Sequence, residues 1–314
     1  MTVSIGPLQP DEIPDFCALF QRVFSVPLTS ALREWKYVLG PRLGSISLVA
    51  RGEAGALVGH AGALIFPGVW AGRTLPMAQV CDVMVDASAR GGVDHGGVYG
   101  RLMAALQAEL ARTHPGVLAY GFAGIRPYKL GARMGLYRAV QPCRMGTLAF
   151  TGPSRTGLSA PWSLSATPVS ANHPAFGALW ARLGPRGAAP AVARTPAYLN
   201  WRYATHPVHR YQPWLLRRWG RTLGWVITRP MPDGSLCLVD SLLPAGLGAR
   251  QAAACVAGAL ARAEPSPAVR VGSWAIETEE SARLEPIMGC EVRVDRWHSD
   301  HLVPRFQPGD TDVF

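Results

Sequence analysis

Gln79-Val80-Cys81-Asp82-Val83-Met84-Val85-Asp86 is followed by Arg90-Gly91-Gly92-Val93-Asp94-His95-Gly96-Gly97 and then by an apolar-periodic segment from Val98 to about Arg112. The reading of these residues decides the fold. The first run is β-branched and apolar, the second is a turn rich in arginine and glycine, and the third repeats its apolar residues at helical spacing. A second short apolar run, Val117-Leu118-Ala119-Tyr120-Gly121-Phe122-Ala123, leads into a helical pattern over Arg126–Met134 that closes at Gly135-Leu136-Tyr137. By period this is strand, glycine turn, helix, strand, helix.

The glycine turn carries the chemical signal. Glycines let successive backbone N–H groups converge without Cβ clashes, and a helix start adds its own outward amides and positive dipole end. Such a nest suits a phosphate, with Arg90 and Arg101 to add charge. A mobile surface loop of small residues is the plain alternative. Two familiar phosphate motifs are excluded: there is no G-x-x-x-x-G-K-[ST], the only lysines being Lys36 and Lys129, and no clean G-x-G-x-x-G follows a strand.

These residues resemble the GNAT acyl-coenzyme A N-acyltransferases. The likeness lies in Asp82-Val83-Met84-Val85, in Arg90-Gly91 opening the loop, in Gly97-Val98-Tyr99 with Leu102 starting the helix, and in the closing Met134-Gly135-Leu136-Tyr137. It covers residues 3–150. It implies a loop whose amides, at Arg90, Gly91, Gly92, Gly96, Gly97, Val98 and Tyr99, hold the coenzyme A pyrophosphate. It also implies a strand backbone, Val83, Met84 or Val85, that meets the pantetheine arm and the thioester oxygen. The implied cosubstrate is acetyl-CoA or another acyl-CoA, with no metal. The loop is a few residues longer than usual, with Val93-Asp94-His95 between its glycine clusters.

Outward from this stretch, Asp11 is expected to cap a helix to about Phe24, and Thr29 to start another through Val38. Strands are expected over Ile46–Arg51, Ala56–Trp70 and Arg73–Asp86. The order β-α-α-β-β-β-α-β-α-β is the one the GNAT resemblance implies. Residues 151–171, rich in glycine and proline, read as a linker between a domain over 1–150 and another over 172–314. The second domain repeats the first weakly: Leu236–Asp240 parallels the Asp82 strand, Pro244–Gly248 the glycine loop, Ala252–Ala263 the helix, Val269–Ile276 the later strand, and Met288-Gly289 parallels Met134-Gly135. The expected fold class is therefore α/β, a mixed sheet flanked by helices, in two tandem GNAT-like domains, the second degenerate. Tyr198–Tyr203 with His206-Pro207 resembles a segment of tandem GNAT proteins and reads as a packing helix.

Composition bounds the class. The 314 residues are 48% hydrophobic with ten tryptophans and a formal net charge of +10, which marks a globular chain with room for two cores. No apolar run approaches the ~18 residues that span a membrane, and the first residues show no basic start or apolar leader core, so the expected location is cytoplasmic. Six scattered cysteines without a C-x-x-C read as reduced, buried thiols. The charge, almost all arginine, fits a polyanionic ligand such as coenzyme A. No basic run interleaved with aromatics supports nucleic acid.

Acyl transfer from a thioester needs a neutral amine, a polarised carbonyl and a proton for the leaving thiolate. The usual acid of the family is a tyrosine four residues before the closing glycine; here that position is Gly131, and Tyr128, one turn earlier, is the nearest substitute, with Tyr120 and Tyr137 behind it. Asp82, Asp86 and His60 are the candidate bases. Asp82 stands in an apolar strand, where a carboxylate is costly unless paired or facing a cleft. His60 also reads as a satisfied strand histidine. The chain ends at Phe314, and in tandem GNAT proteins of the enhanced intracellular survival type a terminal Phe carboxylate serves as base, so Phe314 is a candidate by that resemblance, a loose tail being the alternative. His206/His209 and His298/His301 have spacing suggestive of metal but no third ligand. The expected reaction is acyl transfer, most often acetyl, to the primary amine of a small molecule by a monomer or homodimer. Transfer to a hydroxyl, transfer of longer chains, acyl-CoA decarboxylation and a non-catalytic CoA-binding scaffold are the rivals.

Overall fold

The computed structural model describes residues 3–91, 96–151, 164–184, 189–263, 268–273, 286–292, 307 and 310. In chain order it forms β1 (Ser4–Pro7), α1 (Ile13–Phe24), α2 (Ser30–Tyr37), β2 (Gly44–Arg51), β3 (Leu57–Trp70), β4 (Arg73–Val85), α3 (Val98–Thr113), β5 (Leu118–Gly121), α4 (Ile125–Arg133) and β6 (Tyr137–Arg144). This is the order expected from the sequence. It continues with β7 (Gly146–Thr151), β8 (Ser165–Pro168), α5 (Ala175–Leu183), β9 (Ala191–Val192), α6 (Pro196–Leu199) extended by a π-helical turn over Asn200–Ala204, β10 (Gln212–Arg218), β11 (Arg221–Pro230), β12 (Leu236–Leu242), α7 (Ala249–Ala263), β13 (Ala268–Ser273) and β14 (Pro286–Val292).

Two compact units result, and neither is one continuous stretch. The first takes residues 1–141, 189–192 and 288–304, the second 142–188, 193–287 and 305–314. The first unit's sheet runs β1-β2-β3-β4-β5-β14-β6, with β9 pairing the outer end of β3. The second unit's sheet runs β7-β13-β12-β11-β10-β8. In the first sheet β1-β2, β2-β3, β3-β4, β3-β9 and β5-β14 pair antiparallel and β4-β5 parallel; in the second β8-β10, β10-β11, β11-β12 and β7-β13 pair antiparallel and β12-β13 parallel.

In the first unit the strands bury both faces. Leu48 and Ala50 join Leu102, Met103, Leu106 and Leu110 of α3 in one core, while Val49 between them joins Phe16 and Leu19 of α1 on the other face. That is the period-two alternation of a strand with two covered faces. Gly59 lets α3 approach, since a Cβ there would meet Leu102 Cδ1 at 2.8 Å. In the second unit Trp214, Leu216, Val226 and Leu238 pack with Ala252, Ala253 and Val256 of α7.

Three sequence expectations need correction. Of residues 151–171, read as a linker, Thr151 ends β7 and Ser165–Pro168 form β8, paired with β10; residues 152–163 lie outside the described residues. Met288-Gly289, read as a post-helix closure, lies inside β14, whose Cys290 pairs with Gly121. A strand in that place is decided by backbone pairing that no local pattern shows. Asp11 is not a cap of α1, because Pro10–Glu12 form a 3-10 turn first and the Glu12 carboxylate returns to the Gln9 amide at 2.7 Å. Thr29 does cap α2, accepting from the Leu32 amide at 3.2 Å.

Candidate functional site

β4 changes its partnership at Asp82. Its register against β3 steps from Gly62↔Cys81 to His60↔Met84, so β4 carries one extra residue, and Asp82 takes a left-handed backbone with φ 49°. Such a bulge bends and twists its strand. The parallel register of β4 with β5 runs from Met77↔Leu118 to Val80↔Gly121 and stops there. Among the described pairings, β4 continues against β3 at Cys81, Met84 and Val85 but is paired with β5 no further than Val80.

A non-glycine residue in the left-handed region costs about 1 kcal/mol or more and persists where its surroundings over-determine it. Here they do. Asp82 Oδ1 accepts from Lys36 Nζ at 2.7 Å, and Oδ2 accepts a short hydrogen bond from the Tyr37 hydroxyl. Both donors come from the end of α2. Gly62 makes room for them, because a Cβ there would lie 3.1 Å from the Tyr37 hydroxyl. The Asp82 carbonyl meets His60 Nδ1 at 2.7 Å. That carbonyl can only accept, so Nδ1 carries the proton and Nε2 accepts from the Ser47 hydroxyl at 2.7 Å. Burial pushes the His60 imidazole down to about 4, against the pull of the Asp82 carbonyl and carboxylate. His60 is thus a neutral, hydrogen-bonded strand residue beneath the bulge.

Past β4 the loop is tied down. Asp86 accepts from the Ser88 amide at 3.0 Å, from the Ser88 hydroxyl at 2.8 Å and from Arg22 Nε at 3.0 Å, which together hold its carboxyl below the usual range. Arg90 Nε donates to the Val85 carbonyl at 3.0 Å, so Arg90 stands at the exit of the strand. Arg101 turns the other way and donates to the Val3 carbonyl at 2.8 Å. Gly91 and Gly96 are exposed, and Gly97 is the N-cap of α3 with an extended backbone. Gly92, Val93, Asp94 and His95 lie outside the described residues. The end of β4 and the N-terminus of α3, with its positive dipole end, are thus separated by one short loop.

Tyr128 occupies the first turn of α4, half-buried against the α3 core. The helix position expected for a family tyrosine holds Gly131 for a steric reason: a Cβ there would lie 2.2 Å from the Tyr137 ring. The Tyr137 hydroxyl accepts from the Tyr99 hydroxyl at 2.8 Å, which links the start of β6 to the first turn of α3. Sequence reading singled out all these tyrosines but could not find the Tyr99–Tyr137 pair, which joins residues 38 apart. It also missed Lys36 and Tyr37, although one lysine of only two, placed in an amphipathic helix, was a signal.

Phe314 lies outside the described residues. Four residues before it, Asp310 is buried and ion-paired with Arg194 at 2.8 Å, while Gln307 donates to the Ser241 carbonyl at 2.8 Å. Cys81 and Cys237 are buried thiols outside any disulfide, and burial pushes Cys237 up to about 12. Among the described residues no three histidines, cysteines or carboxylates gather as metal ligands. His298 and His301 lie outside them.

Residues 4–138 match the family model described as an acetyltransferase (GNAT) domain. Curated protein sequences offer no match. A solved structure from Enterococcus faecalis, described as a conserved protein of unknown function and probable N-acyltransferase, is similar with TM-score 0.67 and 16% identity over 93% of this chain and 72% of that one. A GCN5-related N-acetyltransferase from Anabaena variabilis gives 0.66 and 16% over 93% and 73%. A tandem GNAT protein from the clavulanic acid biosynthesis pathway gives 0.55 and 15% over 92% and 97%. At these identities the structural likeness speaks for the fold alone.

Proposed function

From a chain that carries a GNAT acetyltransferase domain at residues 4–138 and has the tandem GNAT fold, we propose an acyl-CoA-dependent N-acyltransferase that acts on the primary amine of a small molecule. Acyl-CoA is the cosubstrate of the family, and the acyl group of this reading is acetyl. The observation that carries the reading is the end of the described β4–β5 pairing at Val80, before the Asp82 bulge, together with the glycine N-cap of α3. An extended amide-bearing arm can pair with strand backbone, and a pyrophosphate suits amides converging at a helix start.

In this reading the amine nitrogen attacks the thioester carbonyl. The C–N bond forms, the C–S bond breaks, the amine proton passes to Asp82 or through water, and the thiolate takes a proton from Tyr128. A backbone N–H of Val83, Met84 or Val85 meets the developing oxyanion. Asp82 enters this scheme already engaged by Lys36 and Tyr37. Gly131 favours one wider reading, in which the same site serves a hydroxyl acceptor, a longer acyl group or decarboxylation.

The test is calorimetric titration of CoA, acetyl-CoA, longer acyl-CoAs and malonyl-CoA into wild type and Gly97→Glu. Binding that Gly97→Glu abolishes is the expected result, because a carboxylate at the N-cap would repel the pyrophosphate. The rank of thioesters then names the acyl group. Absence of binding to every thioester would overturn the reading, and tight binding without turnover over an amine panel would leave a CoA-binding scaffold.

A further inference from the structure

The hairpin between β10 and β11 ends in a two-residue turn, Trp219-Gly220, closed by the cross-strand pair Arg218↔Arg221. Both turn residues have positive φ, 52° at Trp219 and 72° at Gly220, the geometry that suits the twist of the flanking strands. Asparagine, aspartate and glycine take the first of these places readily, whereas a bulky aromatic is strained there. The ring does not bury itself in return. Trp219 is 63% exposed, the most exposed large apolar residue among those described.

The charge around the ring is of one sign. Arg218 and Arg221 stand opposite each other across the two strands, an arrangement of like charges that weakens a strand pair. Both are exposed, and the half-buried Arg217 precedes them. Among the described residues no carboxylate is ion-paired with any of these arginines. The sequence also keeps acids away from this stretch: between Glu109 and Asp233 it has no aspartate or glutamate, while arginine recurs throughout.

The tip is firmly carried. Leu215 and Leu216 of β10 and Trp225 and Val226 of β11 are buried behind it. Arg182 of α5 donates to the Thr222 carbonyl at 2.9 Å and to the Leu223 carbonyl at 3.0 Å, at the bulge where β11 carries one extra residue against β10. The strained ring therefore stands at the end of a supported ribbon. A left-handed aromatic, facing arginines and wide exposure each weaken the hairpin as an isolated element, and all of them fall between Arg218 and Arg221.

We propose that the tip of the β10–β11 hairpin docks on an anionic lipid surface, with the Trp219 ring among the headgroups and Arg217, Arg218 and Arg221 on their phosphates. Tryptophan is enriched at that level of a bilayer, and each arginine near an anionic surface adds attraction. One ring on a narrow ribbon fits a broad, soft surface. Single-stranded nucleic acid is held instead by successive rings along a basic groove, which this tip does not offer. The docking is peripheral, lies in the second unit and stands apart from the acyl-CoA reading at Gly97.

The test sediments the full chain with vesicles of phosphatidylcholine alone and with vesicles of phosphatidylcholine and phosphatidylglycerol in equal parts. Binding is expected to the anionic vesicles only, and it should weaken as salt rises. Trp219→Asn puts a residue suited to the turn in place of the ring, so it should fold at least as stably and bind the vesicles roughly tenfold more weakly. Arg218→Gln combined with Arg221→Gln removes the facing charges and should also lose roughly tenfold. Brominated acyl chains should quench a part of the wild-type tryptophan emission that Trp219→Asn lacks. Urea unfolding of the variants separates a loss of fold from a loss of docking, and should one variant fail to fold, the other reads the same tip. Gly97→Glu should leave vesicle binding unchanged, so that this proposal and the acyl-CoA reading fail separately. The proposal is overturned if wild type binds neither vesicle, if it binds both equally, or if Trp219→Asn binds as well as wild type. It is overturned too if a single-stranded oligonucleotide binds more tightly than the vesicles and depends on Trp219, or if Trp219→Asn converts a dimer into a monomer, which would make the tip a contact between copies.

Discussion

Asp82 and Asp240 stand at equivalent places in the two sheets, each beside a register slip in its strand and each held by one cation and one tyrosine. Lys36 and Tyr37 hold Asp82, while Arg194 and Tyr203 hold Asp240. The recurrence gives the clasp a structural role in both sheets, namely to pin a bulge that a free chain would not keep, whatever chemistry Asp82 adds in the first. Both side chains of the Lys36–Asp82 pair are only 7% exposed. Lys36→Met, which leaves a buried carboxylate with no cation, should therefore cost about 3–5 kcal/mol, measured by urea unfolding at neutral pH. His60 gives a pH signature. Its folded pKa is lowered to about 4, below the ordinary unfolded value, so its contribution is present above pH ~6.5 and is lost as pH falls toward 4. The loss from this one group amounts to about 3 kcal/mol. Unfolding curves at neutral and acidic pH should show it, and His60→Asn should flatten the difference.

Helix α4 shows how an element keeps its shape by omission. Gly131 is a poor helix former, yet the Tyr137 ring lies where its side chain would be, and the Tyr137 hydroxyl is tied to α3 through Tyr99. Gly131→Ala gains helix propensity and meets the ring. The clash should win, with a net loss of about 1–3 kcal/mol, read as a lowered thermal midpoint and relieved in a Tyr137→Ala background. Strand β6 shows the opposite device. Only Met145 separates β6 from β7, too little for a hairpin turn of even two residues. The chain therefore runs straight on, and β7 pairs antiparallel with β13 over Gly146–Thr151.

Across the whole molecule this produces an exchange of strands. The strand beside β5 is β14, from late in the chain, and the strand beside β13 is β7, from the early half. Neither sheet is complete without a piece from the other run of sequence. Residues 1–150 expressed alone would expose an unpaired edge at β5 and should aggregate or stay unfolded. Co-expression with residues 151–314 should restore a folded complex. Circular dichroism and gel filtration of the fragments, alone and together, check this, and a folded, monodisperse 1–150 fragment would refute it. Among the described residues no helix is long and apolar enough to cross a membrane.

The element order of the first unit was legible in the sequence because it rests on local physics. Period-two runs, the Thr29 cap and the glycine start of α3 each specify themselves within a few residues. The closing Gly135-Leu136-Tyr137 was legible as well, since Gly135 takes a left-handed backbone with φ 69° that few residues allow. The second copy was legible only from Leu236 onward. Its earlier half, from β8 through the π-helical turn to β11, matches the first unit in element order but not in residues. What the tertiary structure decided was pairing between distant residues: the slip that turns Asp82, the reach of Lys36 and Tyr37 to it across 46 and 45 positions, the Tyr137 ring over Gly131, and the exchange of β7 and β14. Sequence pattern reports which face of an element is buried. It does not report which partner buries it, because hydrophobic burial is non-directional and strand pairing uses backbone groups that every residue shares.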